Sequence, residues 1–192
     1  MDELTGYADK LNNIAEKLKD TNRAEYLLYL WQVEDIIRAN GCDFDRLNQS
    51  YLSRFNLDDE TLSRTRRWYA DLCEMMHSEG VVARGHLQMS KNVLSGLEEL
   101  HSRLLASPKF PYYKEMYHKV LPHVVCLRAK GAPKDESELQ TLFEALYGVM
   151  TLRLQGKEVS AETTKAVADI TTLLGQLSDY QIKDRKEPID FD

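Results

Sequence analysis

Cysteine, proline and glycine are scarce in this chain, and each shortage excludes a class of structure. Its 192 residues include 3 Cys, 5 Pro and 9 Gly. Such low Gly and Pro contents exclude collagen-like and low-complexity disordered chains. Cys42, Cys73 and Cys126 are far apart and form no C-x-x-C pair, which argues against a disulfide framework or a zinc knuckle and favours reduced thiols. We therefore expect a globular, cytoplasmic protein.

Long apolar segments are also missing. The longest candidate, Tyr26–Trp31, has only six residues, whereas a membrane-spanning helix needs about 18. The chain starts with acidic residues at Asp2 and Glu3 and has no apolar segment typical of a signal peptide near them. We expect neither a signal peptide nor an interaction with a membrane.

The charge balance gives no general attraction for polyanions. There are 25 Lys+Arg and 31 Asp+Glu, so the net charge is -6, and such a chain is not drawn to phosphate backbones. Three arginines, Arg64, Arg66 and Arg67, precede Trp68 and Tyr69, a mixture found on some nucleic-acid-binding surfaces. Clustered charges on an exposed helix are more commonly a solvated face, and we expect no nucleic-acid partner.

Motifs of the common nucleotide, cofactor and hydrolase sites are absent. The sequence contains no G-x-x-x-x-G-K-[ST], G-x-G-x-x-G, G-x-S-x-G or H-E-x-x-H. P-loop NTPases, Rossmann enzymes, α/β-hydrolases and zincins depend on these motifs to hold phosphates, a nucleophile or a metal. No cofactor is expected, and a non-enzymatic role is favoured over an enzymatic one.

Apolar residues recur at helical spacing through almost the whole chain. The first stripe is Leu4, Tyr7, Leu11, Ile14 and Leu18. Its alternating spacings of three and four residues are typical of an amphipathic helix, which could pack on its own chain or on a partner. No period-two run is long enough for a sheet, and the connections are short. These patterns predict an all-α, single-domain bundle of seven or eight mostly antiparallel helices over residues 1–182, followed by a flexible charged tail over residues 183–192.

Capping residues predict where individual helices begin and end. Gly41 follows the apolar segment 22–40 and suits a left-handed helix end. The spacing of Asp135 and Glu138 is that of a capping box, which predicts a helix beginning there. Pro122 falls inside a predicted helix, where it removes one backbone hydrogen bond and is expected to cause a kink.

The segment 22–40 carries the most informative polar residues. It is apolar around most of its circumference, with Trp31 among its apolar residues, which is typical of a central helix. Glu34 and Arg38 lie four residues apart towards its buried side, where a lone charge is costly. We expect the two to pair, either as a structural ion pair or as the polar floor of a pocket between helices, with Arg23 as a further candidate partner.

In the pocket interpretation, His101, Tyr117 and Tyr147 are candidate walls. The predicted ligand-binding residues are then Glu34, Arg38, Trp31, His101, Tyr117 and Tyr147. His101 shares a narrow arc of its helix with several leucines, and a lone histidine in such a position is commonly a satisfied core residue. Both interpretations of His101 stay open.

A metal site is a further alternative. The pattern Glu-x-x-His occurs at Glu74/His77, Glu98/His101 and Glu115/His118. Carboxylate-bridged di-metal bundles use this spacing because it places both ligands on one helix face. Only the pair Glu98/His101 points inward, together with Glu34. We expect no metal, and a metal-dependent oxidative enzyme using Glu34, Glu98 and His101 is the alternative.

Three blocks of the sequence resemble a bacterial, all-helical family known only as a domain of unknown function. They are residues 22–40 (NRAEYLLYLWQVEDIIRAN), 79–92 (EGVVARGHLQMSKN) and 146–155 (LYGVMTLRLQ). The resemblance covers residues 20–180 in order and is weakest over Met1–Asp20. It implies a helical fold but no activity, substrate or cofactor.

The sequence leads to three functional hypotheses. The first is a non-enzymatic protein that forms a homo-oligomer or binds a protein partner, because 10 Tyr and 6 Met suit helix–helix interfaces. The second is a small-ligand binder with an inter-helix pocket floored by Glu34 and Arg38. The third is the metal-dependent enzyme.

Overall fold

A computed structural model describes residues 15–192 of the chain. Within this range the regular structure is helical, and no β-strand occurs. The predicted all-α class is thereby confirmed for the described residues. Leu4, Tyr7, Leu11 and Ile14 of the predicted apolar stripe lie outside the described residues. The surface on which that stripe packs therefore stays a prediction.

Eight α-helices occur in residues 15–192, in agreement with the predicted seven or eight. Residues 15–21 form α1. The other helices are α2 (Arg23–Ala39), α3 (Phe44–Ser50), α4 (Asp59–Ser78), α5 (Gln88–Ala106), α6 (Pro111–Ala129), α7 (Glu138–Leu154) and α8 (Ala161–Lys186). A short 3-10 turn, Leu52–Arg54, follows α3. None of the described helices is both long and apolar enough to cross a lipid bilayer.

The chain divides into two compact units, Met1–Val93 and Leu94–Asp192, with the boundary inside α5. The single domain ending at residue 182 stays a prediction. Residues 183–186, which the sequence assigns to a charged tail, form the last turn of α8. Lys183, Arg185 and Lys186 lie in that turn, where cations complement the negative end of the helix dipole.

In the first unit, α2 begins where the sequence predicts. The Asn22 side chain accepts a hydrogen bond from the Glu25 backbone N–H at 3.1 Å, and Gly41 has the left-handed φ of +72° expected after the helix. Aliphatic, aromatic and cysteine side chains form the apolar core of this unit. They are Val33, Ile37, Cys42, Leu47, Leu52, Tyr69, Leu72, Cys73, Met76, Val81 and Leu87.

In the second unit, α6 and α8 run antiparallel. The Phe110 ring, just before α6, lies 5.3 Å from the Tyr180 ring, while Lys119 and Asp169 pair at 2.6 Å, so positions that advance along α6 recede along α8. The largest fully buried side chains of this unit are Tyr113, Phe143, Leu97, Leu104 and Leu142.

The predicted capping box at the start of α7 is wrong. Ser137, not Asp135, is the N-cap, and its hydroxyl accepts a hydrogen bond from the Gln140 N–H at 2.9 Å. Ser caps a helix as well as Asp does, and Ser137 is the residue directly before the first helical position, Glu138.

Candidate functional site

Glu34 is a buried carboxylate in the middle of α2, with an exposed fraction of 1%. Its Oε1 accepts hydrogen bonds from the Leu87 backbone N–H at 3.1 Å and the Ser90 hydroxyl at 2.7 Å. Its Oε2 lies 2.7 Å from Nδ1 of His86. Because an ionised carboxylate only accepts hydrogen bonds, Nδ1 of His86 is the donor in this pair. The chain itself therefore supplies the donors that a buried charge requires.

Arg38, one turn further along α2, is the expected partner of Glu34, but most of its N–H groups donate to other residues. Its Nη2 is 3.7 Å from Oε2 of Glu34, whereas Nη1 lies 2.9 Å from Asp35. Nε and Nη2 donate to the Val81 carbonyl at 3.4 Å, and Nη2 also donates to the carbonyl of Gly85. The guanidinium thus holds the backbone between α4 and α5 more closely than it holds Glu34.

Trp31 is the third of the predicted site residues on α2, and it also contacts this cluster. Its ring stacks on the His86 imidazole with 4.4 Å between centroids and 18° between planes. Trp31 is buried, while 31% of the His86 side chain is exposed. The stack and the carboxylate together fix the imidazole in one orientation.

These contacts attach the segment between α4 and α5 to α2. The segment also satisfies the start of α5, because the Gln88 N–H donates to the Glu79 carboxylate at 2.6 Å and the Leu87 N–H to Glu34. Free backbone N–H groups at a helix start need acceptors and favour negative charge. The arrangement agrees with a structural role for Glu34 and Arg38 rather than with a pocket floor. The main partners of Arg38 are backbone carbonyls, and Glu34 pairs with His86.

Sequence reasoning missed His86 and Ser90. Neither residue belongs to a recognisable motif in the sequence. A usable signal was present: the residue before α5 is Leu87, which has no side chain able to cap a helix. Another element therefore had to supply the acceptor, and the buried-side glutamate of α2 was a candidate.

His101 and Tyr117 lie in the second unit and do meet. Nδ1 of His101 is 2.6 Å from the hydroxyl of the fully buried Tyr113, and the His101 ring lies 5.0 Å from the Tyr117 ring. Tyr117 donates a hydrogen bond to Glu138. Burial lowers the pKa of His101, and Glu138 acts in the opposite direction. Burial, followed by the Glu138 carboxylate, raises the pKa of Tyr117 to about 12.

The six predicted ligand-binding residues fall in different units. Trp31, Glu34 and Arg38 belong to Met1–Val93, and His101, Tyr117 and Tyr147 to Leu94–Asp192. Tyr147 is partly exposed on α7. A single pocket that contains all six stays a prediction.

Two residues of the metal alternative have hydrogen-bond partners in their own units. Glu98 accepts a hydrogen bond from the Ser137 hydroxyl, and Glu34 is occupied as described above. Within residues 15–192, no three His, Cys, Asp or Glu side chains are grouped closely enough to hold a metal ion. The metal site of Glu34, Glu98 and His101, whose residues fall in different units, stays a prediction.

A groove lies between α6 and α8 in the second unit. Its volume is about 210 Å³, and its lining is Tyr112, Glu115, Met116, Lys119, Asp169 and Thr172. Asp169 pairs with Lys119 at 2.6 Å and with Nε2 of His123 at 3.3 Å, and both partners lower its pKa, Lys119 the more strongly. Small-molecule pockets typically measure about 300 to 1,000 Å³, so this groove is small for one.

The sequence pattern of a family described as a domain of unknown function (DUF4924) matches residues 12–188. The chain belongs to this family. The resemblance inferred from the three sequence blocks is thereby confirmed. No curated protein and no solved structure matches the chain. The DUF4924 description carries no activity, so the function has to be argued from the residues.

Large exposed apolar side chains are unevenly distributed in this DUF4924 chain. They are Tyr112 (62% exposed), Val125 (68%), Leu152 (37%) and Leu154 (69%). All four lie on α6 and α7 in the unit Leu94–Asp192, and the described part of the other unit has none. We call these four side chains the apolar surface set.

Proposed function

We propose that the chain works by association, with a second copy of itself as the partner, and that the apolar surface set contributes to the contact. The observation that carries the proposal is the restriction of these four exposed side chains to two helices of one unit. Exposed apolar surface favours association because burial removes it from water. Symmetric pairing of identical chains is the commonest form of association among soluble proteins.

The contacts of Glu34 also support association over small-molecule chemistry. The most conspicuous buried charge, Glu34, is satisfied by His86, Leu87 and Ser90 of the same chain, so it has no unmet requirement for a ligand.

The proposal is tested by measuring molar mass with light scattering over a concentration range of about 1 µM to about 1 mM, which covers association free energies of about -8 to -4 kcal/mol. The native chain is expected to change from monomer to dimer within this range. The double variant Val125→Lys/Leu154→Lys is expected to stay monomeric, since it places two charges in the contact.

A matched control adds the same two charges at exposed polar positions of α5 and α8, as Ser102→Lys/Thr171→Lys. This control is expected to dimerise like the native chain. A native chain that stays monomeric at the highest concentration would overturn the proposal, and so would equal weakening of the dimer by both double variants.

A further inference from the structure

The residues that follow α8 fold back on the second unit. The Ile189 backbone N–H donates to the Asp184 carboxylate at 2.8 Å. Asp190 pairs with Lys109 at 2.6 Å and also accepts a hydrogen bond from the Asp192 N–H at 3.1 Å. Residues 187–192 have no helical structure. The Glu187 N–H donates to the Lys183 carbonyl of α8, and beyond it the segment is held by contacts that involve side chains.

Phe191 provides the apolar contact of this segment. The Arg103 guanidinium lies 4.0 Å from the centroid of its ring, and the Phe110 ring lies 5.5 Å away. Phe110 in turn meets Tyr180 of α8 edge to face at 5.3 Å. We call the surface formed by Arg103, Lys109, Phe110 and Tyr180 the tail groove.

The tail groove and its occupant are complementary in charge and in aromatic character. Two cationic side chains lie beside the aromatic residues: Lys109, which pairs with Asp190, and Arg103, which lies over the Phe191 ring and also pairs with Asp184 of α8 at 3.5 Å. The bound residues Asp190–Asp192 present a phenylalanine between two aspartates. A cation over an aromatic ring and a lysine–carboxylate pair are both common features of peptide recognition.

The ion pair of this contact is exposed to solvent. The Lys109 and Asp190 side chains are 44% and 77% exposed, and an ion pair this exposed contributes little to stability. The segment is tethered to α8 by only a few residues, so its effective concentration at the groove is high.

We propose that the tail groove is a binding site for a short acidic–aromatic peptide segment, occupied in cis by residues 190–192 and able to accept a segment of the same chemistry from another polypeptide. This site is separate from the apolar surface set and does not rest on the dimerisation proposed above. Binding in trans requires the cis segment to leave, so the tail limits access to the groove.

The probe is a fluorescent synthetic peptide with the sequence of residues 187–192 (EPIDFD), and its binding is followed by anisotropy. The full chain carrying Asp190→Asn/Phe191→Ala, in which the cis segment no longer competes, is expected to bind this peptide at least about tenfold more tightly than the native chain. A peptide with Asn and Ala at the corresponding two positions is the matched control and is expected not to bind. Added salt is expected to weaken the binding.

Two further variants complete the test. The first shows whether the peptide binds at the tail groove, and the second replaces the double variant if that variant does not fold. Arg103→Gln/Lys109→Gln, added to the opened chain, is expected to reduce peptide affinity at least about tenfold, and its circular dichroism shows whether the helices persist. Phe191→Leu, which keeps an apolar side chain, serves as a milder opened chain if the double variant loses structure. Absence of saturable binding to a folded opened chain at about 1 mM peptide, or affinity unaffected by Arg103→Gln/Lys109→Gln, would show that the segment only closes its own fold and would overturn the proposal.

Discussion

Nδ1 of His86 lies 2.7 Å from the Glu34 carboxylate, 52 residues away in the sequence. The same carboxylate receives the Leu87 N–H and the Ser90 hydroxyl, so one buried side chain of α2 positions the residues that lead into α5. Its charge is compensated by local donors, which makes it a structural element of the first unit.

Removing the Glu34 carboxylate should strongly destabilise the chain. Glu34→Ala leaves the Leu87 N–H, the Ser90 hydroxyl and the His86 ring without their acceptor, and we expect a loss of about 3 kcal/mol in the free energy of unfolding. Glu34→Gln keeps one acceptor oxygen and should cost less. Urea unfolding measures both, with Glu25→Gln, an exposed site on the same helix, expected to cost less than about 1 kcal/mol. Equal losses for Glu34→Ala and Glu25→Gln would contradict the role given to Glu34.

The three cysteines should react at very different rates. Cys126 is exposed, while Cys42 and Cys73 are buried. Burial raises the pKa of Cys42 and raises that of Cys73 to about 11, which lowers their thiolate fractions further. Titration of the native chain with a chromogenic disulfide should show one fast thiol, and Cys126→Ser should remove that phase. A fast phase that persists in Cys126→Ser would show that a buried site is accessible.

Acid should destabilise the chain in part through His101. Burial lowers the His101 pKa below its ordinary value of 6.5, so the unfolded chain binds more protons there than the folded chain. Stability from this site is fully present above the unfolded pKa of about 6.5 and is lost as the pH falls from there through the lower pKa of the folded chain. We expect the difference in unfolding free energy between about pH 8 and pH 5 to be smaller in His101→Gln than in the native chain. His118→Gln removes an exposed imidazole from α6 and serves as the control; an unchanged difference in His101→Gln would refute the assignment.

Replacement of Pro122 should stabilise α6. Pro122 lies inside this helix and has no N–H to donate to the His118 carbonyl. Pro122→Ala restores that donor at an exposed position, and we expect a gain of about 1 kcal/mol or more in unfolding free energy. Thermal unfolding, with Glu115→Ala on the same helix as the reference, checks this, and a lower melting temperature for Pro122→Ala would count against it.

The parts of the fold that depend on neighbouring residues were predictable from the sequence. Asn22 and Gly41 delimit α2 through local hydrogen bonding and backbone conformation, and such local rules can be applied without a structure. The start of α7 was misplaced by two residues because Asp135 and Ser137 are both good caps and only the actual backbone path distinguishes them.

The partners of the buried charges depend on contacts that sequence spacing does not reveal. The four-residue spacing correctly predicted that Glu34 and Arg38 lie close together, and they are 3.7 Å apart. The shorter contacts of Glu34, however, are with the segment near residue 86. The order in which helices pack determines those partners, and it cannot be obtained from one helix's periodicity. The contacts of Phe191 with Arg103 and Phe110 could not be predicted for the same reason. The charged residues nearby indicated only a flexible tail.

The contacts of Arg38 and Glu34 also restrict evolution of the segment between α4 and α5. Surface loops ordinarily tolerate insertions and deletions, but the carbonyls of Val81 and Gly85 and the ring of His86 must each reach a fixed atom on α2. Adding or removing a single residue between Val81 and His86 would displace at least one of them. In family members that keep this arrangement, length variation should therefore be concentrated in other loops.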